Sequence, residues 1–236
     1  MRKIYIILVV IFIGSNTYSQ NKEKFASTDY ITAVKKVTDV MVNDVTSPVA
    51  AGRYYSYVTL GSHEANSLFR DAKSSFSESI KHFKKIEVAD TLIAKSDASF
   101  ATVLTVLKMA EKLLPSGYLF KAEADSLSQT AIKRGMSKEQ LENTTNLVAL
   151  VVNQMMNYVK DDGFSKLSSY KRYSPMQGDG YWQPTGPGYM QALEPNWSQI
   201  RTFFLDSSQQ FKPKTPAAFD MTKTSSFYKQ IQEAYT

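Results

Sequence analysis

Few residues in this sequence could take a proton, clamp an anion or hold a metal. There are two histidines, His63 and His82, and no cysteine. His63 stands beside Glu64, but neighbours i and i+1 on a helix face apart, so the two cannot form a local acid–base pair. A histidine in that position is expected to be a hydrogen-bonded structural residue. His82 falls in the densest basic cluster, with Lys81, Lys84 and Lys85 around it. That cluster reads as a solvated face, because a nucleic-acid footprint needs a clustered stripe with a recognition motif. Asp161-Asp162 runs into Gly163 and reads as a helix end; the carboxylate pair of a glycosidase comes from distant parts of a sequence. Met155 and Met156 have no His or Cys nearby and read as core filler. The sequence has no Gly-rich phosphate loop followed by Lys-Ser or Lys-Thr, no His-Glu-x-x-His and no nucleophile elbow. No catalytic, cofactor-binding or metal-binding residue is assigned from these groups.

The stretch from Tyr173 to Phe211 is the one around which the chain is organised. Between Tyr173 and Asn196 it holds four of the ten glycines and four of the eight prolines, and both tryptophans lie within the longer stretch. Gly reaches positive φ and Pro removes an N–H, so neighbourhoods such as Thr185-Gly186-Pro187-Gly188 interrupt regular structure. A loop this long and this aromatic is expected to pack down over a helical core. Its other use would be as the mouth or lid of a ligand site, with Tyr181, Trp182, Tyr189 and Trp197 as loop or pocket lining.

Three runs in this stretch carry a resemblance: Tyr181 to Tyr189, then Ala192-Leu193-Glu194-Pro195-Asn196-Trp197, then Arg201-Thr202-Phe203-Phe204-Leu205. A further run joins Asp44-Val45-Thr46-Ser47-Pro48-Val49-Ala50 through Arg53-Tyr54-Tyr55 to Glu64-Ala65. Together they resemble the N-terminal helical half of bacterial vanadium-dependent haloperoxidases, within the type-2 phosphatidic acid phosphatase (PAP2) superfamily, from about Asp29 onward. The resemblance implies oxyanion chemistry, with vanadate or phosphate held between Lys, Arg and backbone N–H groups while one histidine ligates or attacks and another moves a proton. The family draws these groups from a Lys…Arg-Pro run, a Pro-Ser-Gly-His motif and a Ser-Arg…Gly…His run. Here Pro115-Ser116-Gly117-Tyr118 has Tyr in place of His, Arg172 lacks the spacing, and only two histidines exist. The resemblance therefore implies a helical half whose catalytic partner half lies outside this chain. Vanadate would belong to a full-length member, and haloperoxidase and acid phosphatase both stay open.

Hydrophobic periodicity predicts the elements that carry these residues. Asp29 is expected to cap a first helix with the stripe Ile31, Val34, Met41 and Val45, and Pro48 to open a second running to about Phe69. The stretch 71–96 is polar and serine-rich, with an apolar beat at Ile80, Phe83 and Ile86; it reads as a loop with a short, partly exposed helix. From Asp97 to Leu114 apolar residues run nearly all round, which marks a central buried helix. Another follows from Gly117 to Gly135, and Ser137 with Gln140 opens the clearest helix of all, through Leu141, Val148, Met155 and Val159. Pro195 is expected to begin a short helix through Phe204. A last segment from about Thr222 carries Phe227, Ile231 and Tyr235 at fourfold spacing.

The fold class expected is all-α: a helical bundle with a long aromatic Gly/Pro-rich loop packed across it. Met1-Arg2-Lys3, the apolar run Ile4 to Ile13 and a small-residue stretch make residues 1–20 a signal peptide, since a membrane span needs about 20 apolar residues. Residues 21–28 read as a flexible lead-in and 29–236 as one helical domain. The protein is expected to be exported, periplasmic or secreted, with no membrane association after signal cleavage and no nucleic-acid partner. A net charge of +6 is mild, and part of it sits on Arg2 and Lys3. Two functions remain: the helical portion of a haloperoxidase-like or acid-phosphatase-like protein, inactive alone, or a self-sufficient exported module binding through the loop around Trp182 and Trp197.

Overall fold

The computed structural model describes residues 23–236, so the leader and the first part of the lead-in lie outside the described residues. Among the described residues seven α-helices form a bundle and no strand occurs. They are α1 (Ser27–Asn43), α2 (Pro48–Ser67), α3 (Asp90–Ala94), α4 (Ala98–Leu113), α5 (Phe120–Lys133), α6 (Lys138–Lys160) and α7 (Ser226–Tyr235).

The bundle is built around α4, which packs against α1, α2, α5 and α6. Its buried residues, among them Phe100, Leu104, Val106 and Met109, point in every direction, as the nearly continuous apolar pattern predicts. Asp97 caps it by accepting the Phe100 N–H at 2.8 Å. The closest neighbour is α2, where Gly61 lets the two helices approach: a Cβ there would stand 2.9 Å from Met109 Cγ. On α6, Leu147, Val148, Val151, Val152 and Met155 are buried, which places Met155 in the core. Ser137 Oγ accepts the Gln140 N–H at 3.1 Å to start that helix.

Several expectations are corrected in detail. Helix α1 begins at Ser27, and Asp29 lies one turn inside, its carboxylate accepting the Ala26 N–H at 2.8 Å. Its core face is Ala33, Val37 and Met41, whereas Ile31 and Val45 are exposed. Ala33 and Val37 fit the 3.6 period as well as Ile31 and Val45 do, and contact with α4 selects them. The lead-in is anchored at Phe25, which is buried with its ring 5.3 Å from Phe100 and the Arg134 guanidinium 4.5 Å from its centroid. In the 71–96 stretch, Ile80, Phe83 and Ile86 are buried in the main core and the regular helix is only α3. The helix expected from Pro195 is a single 3₁₀ turn, Trp197–Gln199.

The stretch after α6 crosses the bundle. Gly163, just past the end of α6, takes φ 90°, a left-handed turn that a side chain would strain. Phe164, Trp197 and Phe203 then pack against the core. Farther out, Tyr181, Tyr189, Met190 and Phe211 are exposed, and α7 buries no residue.

Candidate functional site

Where the 197–203 segment crosses α2 and the end of α6, two arginines, two tyrosines and one buried carboxylate meet. Arg53, on α2, pairs with Asp162, just past α6, Nε to Oδ2 at 2.6 Å, with side chains only 7% and 2% exposed. The second Asp162 oxygen accepts the Phe164 N–H at 2.8 Å, and its carbonyl accepts the Arg201 N–H at 2.9 Å. Around the Arg53 guanidinium stand the rings of Phe164, Tyr57 and Tyr54, at 4.1, 5.1 and 5.6 Å from their centroids. A buried ion pair costs desolvation on both sides and holds only when further hydrogen bonds satisfy its remaining lone pairs and protons. The Phe164 N–H and the aromatic faces supply that support here, so the pair ties α2 to the end of α6, whose Asp162 carbonyl in turn holds the crossing segment through Arg201.

Arg201 is the second cation. Its Nη2 donates to the Tyr158 carbonyl at 2.8 Å and reaches the Tyr57 hydroxyl at 3.4 Å, while the guanidinium lies 3.7 Å from the Tyr158 ring centroid. Its Nε is buried without a hydrogen-bond partner. Burial pushes the Tyr57 phenol far above its ordinary pKa, reinforced by the Asp162 charge and opposed by Arg201 and Arg53. Burial raises Tyr158 too, against the pull of Arg201. Both phenols therefore stay protonated near neutral pH and act as hydrogen-bond groups, not bases. Tyr158 Oη donates to the Lys81 carbonyl at 3.0 Å.

Grooves flank this cluster on both sides. One, of about 420 Å³, is bordered by Arg53, Tyr57, Trp197, Arg201, Phe203 and Ser208. The other, of about 700 Å³, is bordered by His82, Lys84, Lys85, Asn157, Asp161 and Arg201. His63 is elsewhere, its Nε2 2.7 Å from the Ser74 carbonyl and its ring 4.5 Å from Phe76. Glu64 is buried and accepts from Ser75 Oγ at 2.7 Å and the Phe76 N–H at 2.8 Å. The histidine and the carboxylate thus share one structural task, fastening the segment after α2.

The four aromatic residues of the loop separate in space. Trp197 lies 6.2 Å from Phe164 between ring centroids and borders the smaller groove beside Arg53 and Arg201. Trp182 is half exposed and pairs with Tyr173 at 6.1 Å, while Tyr181 and Tyr189 are exposed; none of these three borders that groove. Sequence reasoning missed Asp162 as an ion-pair partner, and Arg53 and Arg201 as one cluster. The available signal was that both arginines fall in the runs that carry the family resemblance. An enclosed vanadate needs a histidine and cations converging out of water. His63 is engaged otherwise, and His82, Lys84 and Lys85 stand exposed at an open groove, so these residues do not fit that group. Among the described residues, no group of His, Cys, Asp and Glu could hold a metal ion.

No protein-family model and no curated protein matches the chain. Among solved structures, it is similar to one described as the first bacterial vanadium-dependent iodoperoxidase, with a TM-score of 0.80 and 26% identity over 88% of this chain. That match takes in 50% of the iodoperoxidase, so the chain spans about half the length of the protein it resembles. The likeness to vanadium-dependent haloperoxidases carried by the motifs around Arg53 and Trp197 is thus present in the three-dimensional fold, over a stretch equal to half of such a protein.

Proposed function

We propose that this chain is the helical scaffold of an exported haloperoxidase-like protein and does not turn over halide or phosphate ester by itself. One observation carries the reading: a fold similar to that of a vanadium-dependent iodoperoxidase coexists with a His63 fastened to the Ser74 carbonyl and a His82 that is exposed. On this reading the oxyanion clamp, and vanadate with it, comes from residues outside these 236. Arg53, Asp162 and Arg201 hold the crossing segment in shape. Export belongs to the same proposal and rests on the leader pattern of residues 1–20.

The test is an iodide-oxidation assay with vanadate and peroxide, run beside a phosphate-monoester hydrolysis assay. The chain should give no rate above vanadate alone in either. Turnover that disappears in His63→Ala or His82→Ala would overturn the reading.

A second reading is favoured by the exposed aromatic side chains of Tyr181, Trp182 and Tyr189. It makes the chain a self-sufficient module that binds through this loop. Cooperative, sharp thermal unfolding without dye-binding apolar surface supports that reading, and broad melting with dye binding supports the scaffold.

A further inference from the structure

The larger groove has a composition that the scaffold role does not use. Its rim carries Lys84, Lys85 and Arg201 with His82, against one acidic group, Asp161, and Asn157 adds an amide. Among the described residues none of the three cations has a carboxylate within ion-pair distance, whereas Lys81 beside them is paired with Asp206. Glu87 and Asp90 border the neighbouring groove, which Lys85 also lines. Like charges gathered around a concavity repel one another, and an anion between them removes that repulsion.

The loop that presents the lysines is held firmly. Tyr158 Oη donates to the Lys81 carbonyl at 3.0 Å, and the Lys81 N–H donates to the Phe203 carbonyl at 2.9 Å. The Gln154 amide exchanges two hydrogen bonds with the Glu87 backbone, at 3.0 and 2.8 Å. Phe83 and Ile86 are buried in the core on either side of Lys84 and Lys85. His82 takes φ 59°, a left-handed conformation that a non-glycine residue holds only where its surroundings impose it. The lysine backbones are therefore positioned before any ligand arrives, which lowers the ordering cost of binding. Arg201 is fixed as well, by Tyr158 and Tyr57.

We propose that the groove between the 82–86 loop and the end of α6 binds a small polyanion of the diphosphate class, through Lys84, Lys85 and Arg201. A volume of about 700 Å³ suits a small molecule and not a polymer, and three cations lining one groove suit a ligand with more than one anionic centre. The site does not depend on peroxidase chemistry, because binding is measured on the chain alone. Inorganic pyrophosphate is the probe, followed by calorimetry at constant ionic strength, with inorganic phosphate and chloride as comparisons. Saturable pyrophosphate binding is expected, at least tenfold tighter than phosphate, and weakened at least tenfold in Lys84→Glu/Lys85→Glu. Both lysines are exposed, so the variant should keep the parent circular dichroism. A second variant, Asp161→Asn, removes the one rim carboxylate and should tighten binding. The proposal is overturned by absence of saturable binding up to about 10 mM, tenfold above a weak Kd of about 1 mM. Equal affinity for phosphate, or a charge-reversed variant that binds as well as the parent, overturns it too.

Discussion

Replacing Asp162 by Asn removes one charge from the Arg53–Asp162 pair while nearly preserving its shape. The parent pair stands at 2.6 Å with both side chains almost wholly buried. At an effective dielectric constant near 20, two unit charges at that distance attract by about 6 kcal/mol, offset by a desolvation cost of several kcal/mol per ion. The net value of the intact pair is therefore small. Taking away one member is different, because the Arg53 guanidinium stays buried among Phe164, Tyr57 and Tyr54 with no counter-charge. Asp162→Asn should then cost about 3–5 kcal/mol, a fall in Tm of roughly 6–20 °C for a domain of this size. Arg53→Met/Asp162→Asn should recover most of that loss, since an apolar side chain of similar length can fill the aromatic box. The assay is thermal and urea unfolding of parent, both single variants and the double, combined as a mutant cycle. A single-variant cost below about 1 kcal/mol, or strictly additive losses, would refute the claim that this pair joins α2 to the end of α6.

Four further expectations follow from local geometry. Gly117→Ala would place a Cβ 2.2 Å from the Glu111 carbonyl oxygen, a backbone atom, and should destabilise by at least about 1–3 kcal/mol in urea unfolding. The hydrogen-bonded Arg134 guanidinium holds the Asp29 carboxyl below its usual range, so that stabilisation is complete above the ordinary carboxylate value of about 3.9 and is lost as pH falls through the lowered folded value. The stability gap between parent and Arg134→Met should accordingly narrow as pH falls below the ordinary carboxylate value of about 3.9, and a gap that stays constant on acidification counts against the assignment. Ser47 caps α2 through the Ala50 N–H and also donates to Glu194 at 3.1 Å, so Ser47→Ala should cost about 1 kcal/mol in the same assay. Trp182 is half exposed while Trp197 packs on Phe164, so acrylamide should quench two emission components unequally, and Trp182→Phe should remove the more accessible one.

Long elements with local signals were legible in the sequence, and contact-selected ones were not. Helices α4 and α6 announce themselves by apolar residues on the helical period and by the capping residues Asp97 and Ser137. Pro48 marks the start of α2 because its ring and missing N–H suit a first turn. Helix α1 shows the limit of the same reasoning. Its period admits two faces, and the choice of Ala33 and Val37 over Ile31 and Val45 depends on α4, about 60 residues later in the chain. Ile80, Phe83 and Ile86 are misread for a related reason: irregular backbone can bury side chains wherever side chains from elsewhere satisfy it, here Gln154 and Tyr158 of α6.

The candidate site exposes a harder barrier. Arg53 and Asp162 are 109 residues apart, and neither is unusual alone: one lies among tyrosines on a helix, the other follows an acidic helix end. Local pattern assigns Asp161-Asp162 to termination, and that is true of Asp161, the residue that caps α6. For Asp162 it fails, because Gly163 turns the chain left-handed and aims the following segment back over α2. Burial of a charge is decided by what arrives from elsewhere, and its cost is tolerated only if the arriving group is cationic and held. The basic cluster around His82 obeys the same logic with the opposite outcome. Its lysines are expected to form a solvated face because no clustered stripe with a recognition motif accompanies them, and in the fold Arg201 arrives from more than a hundred residues away to make the concavity still more positive. A cation recruited toward other cations does not stabilise an empty groove, which is why that groove, and not the aromatic loop, is the place to look for a small ligand.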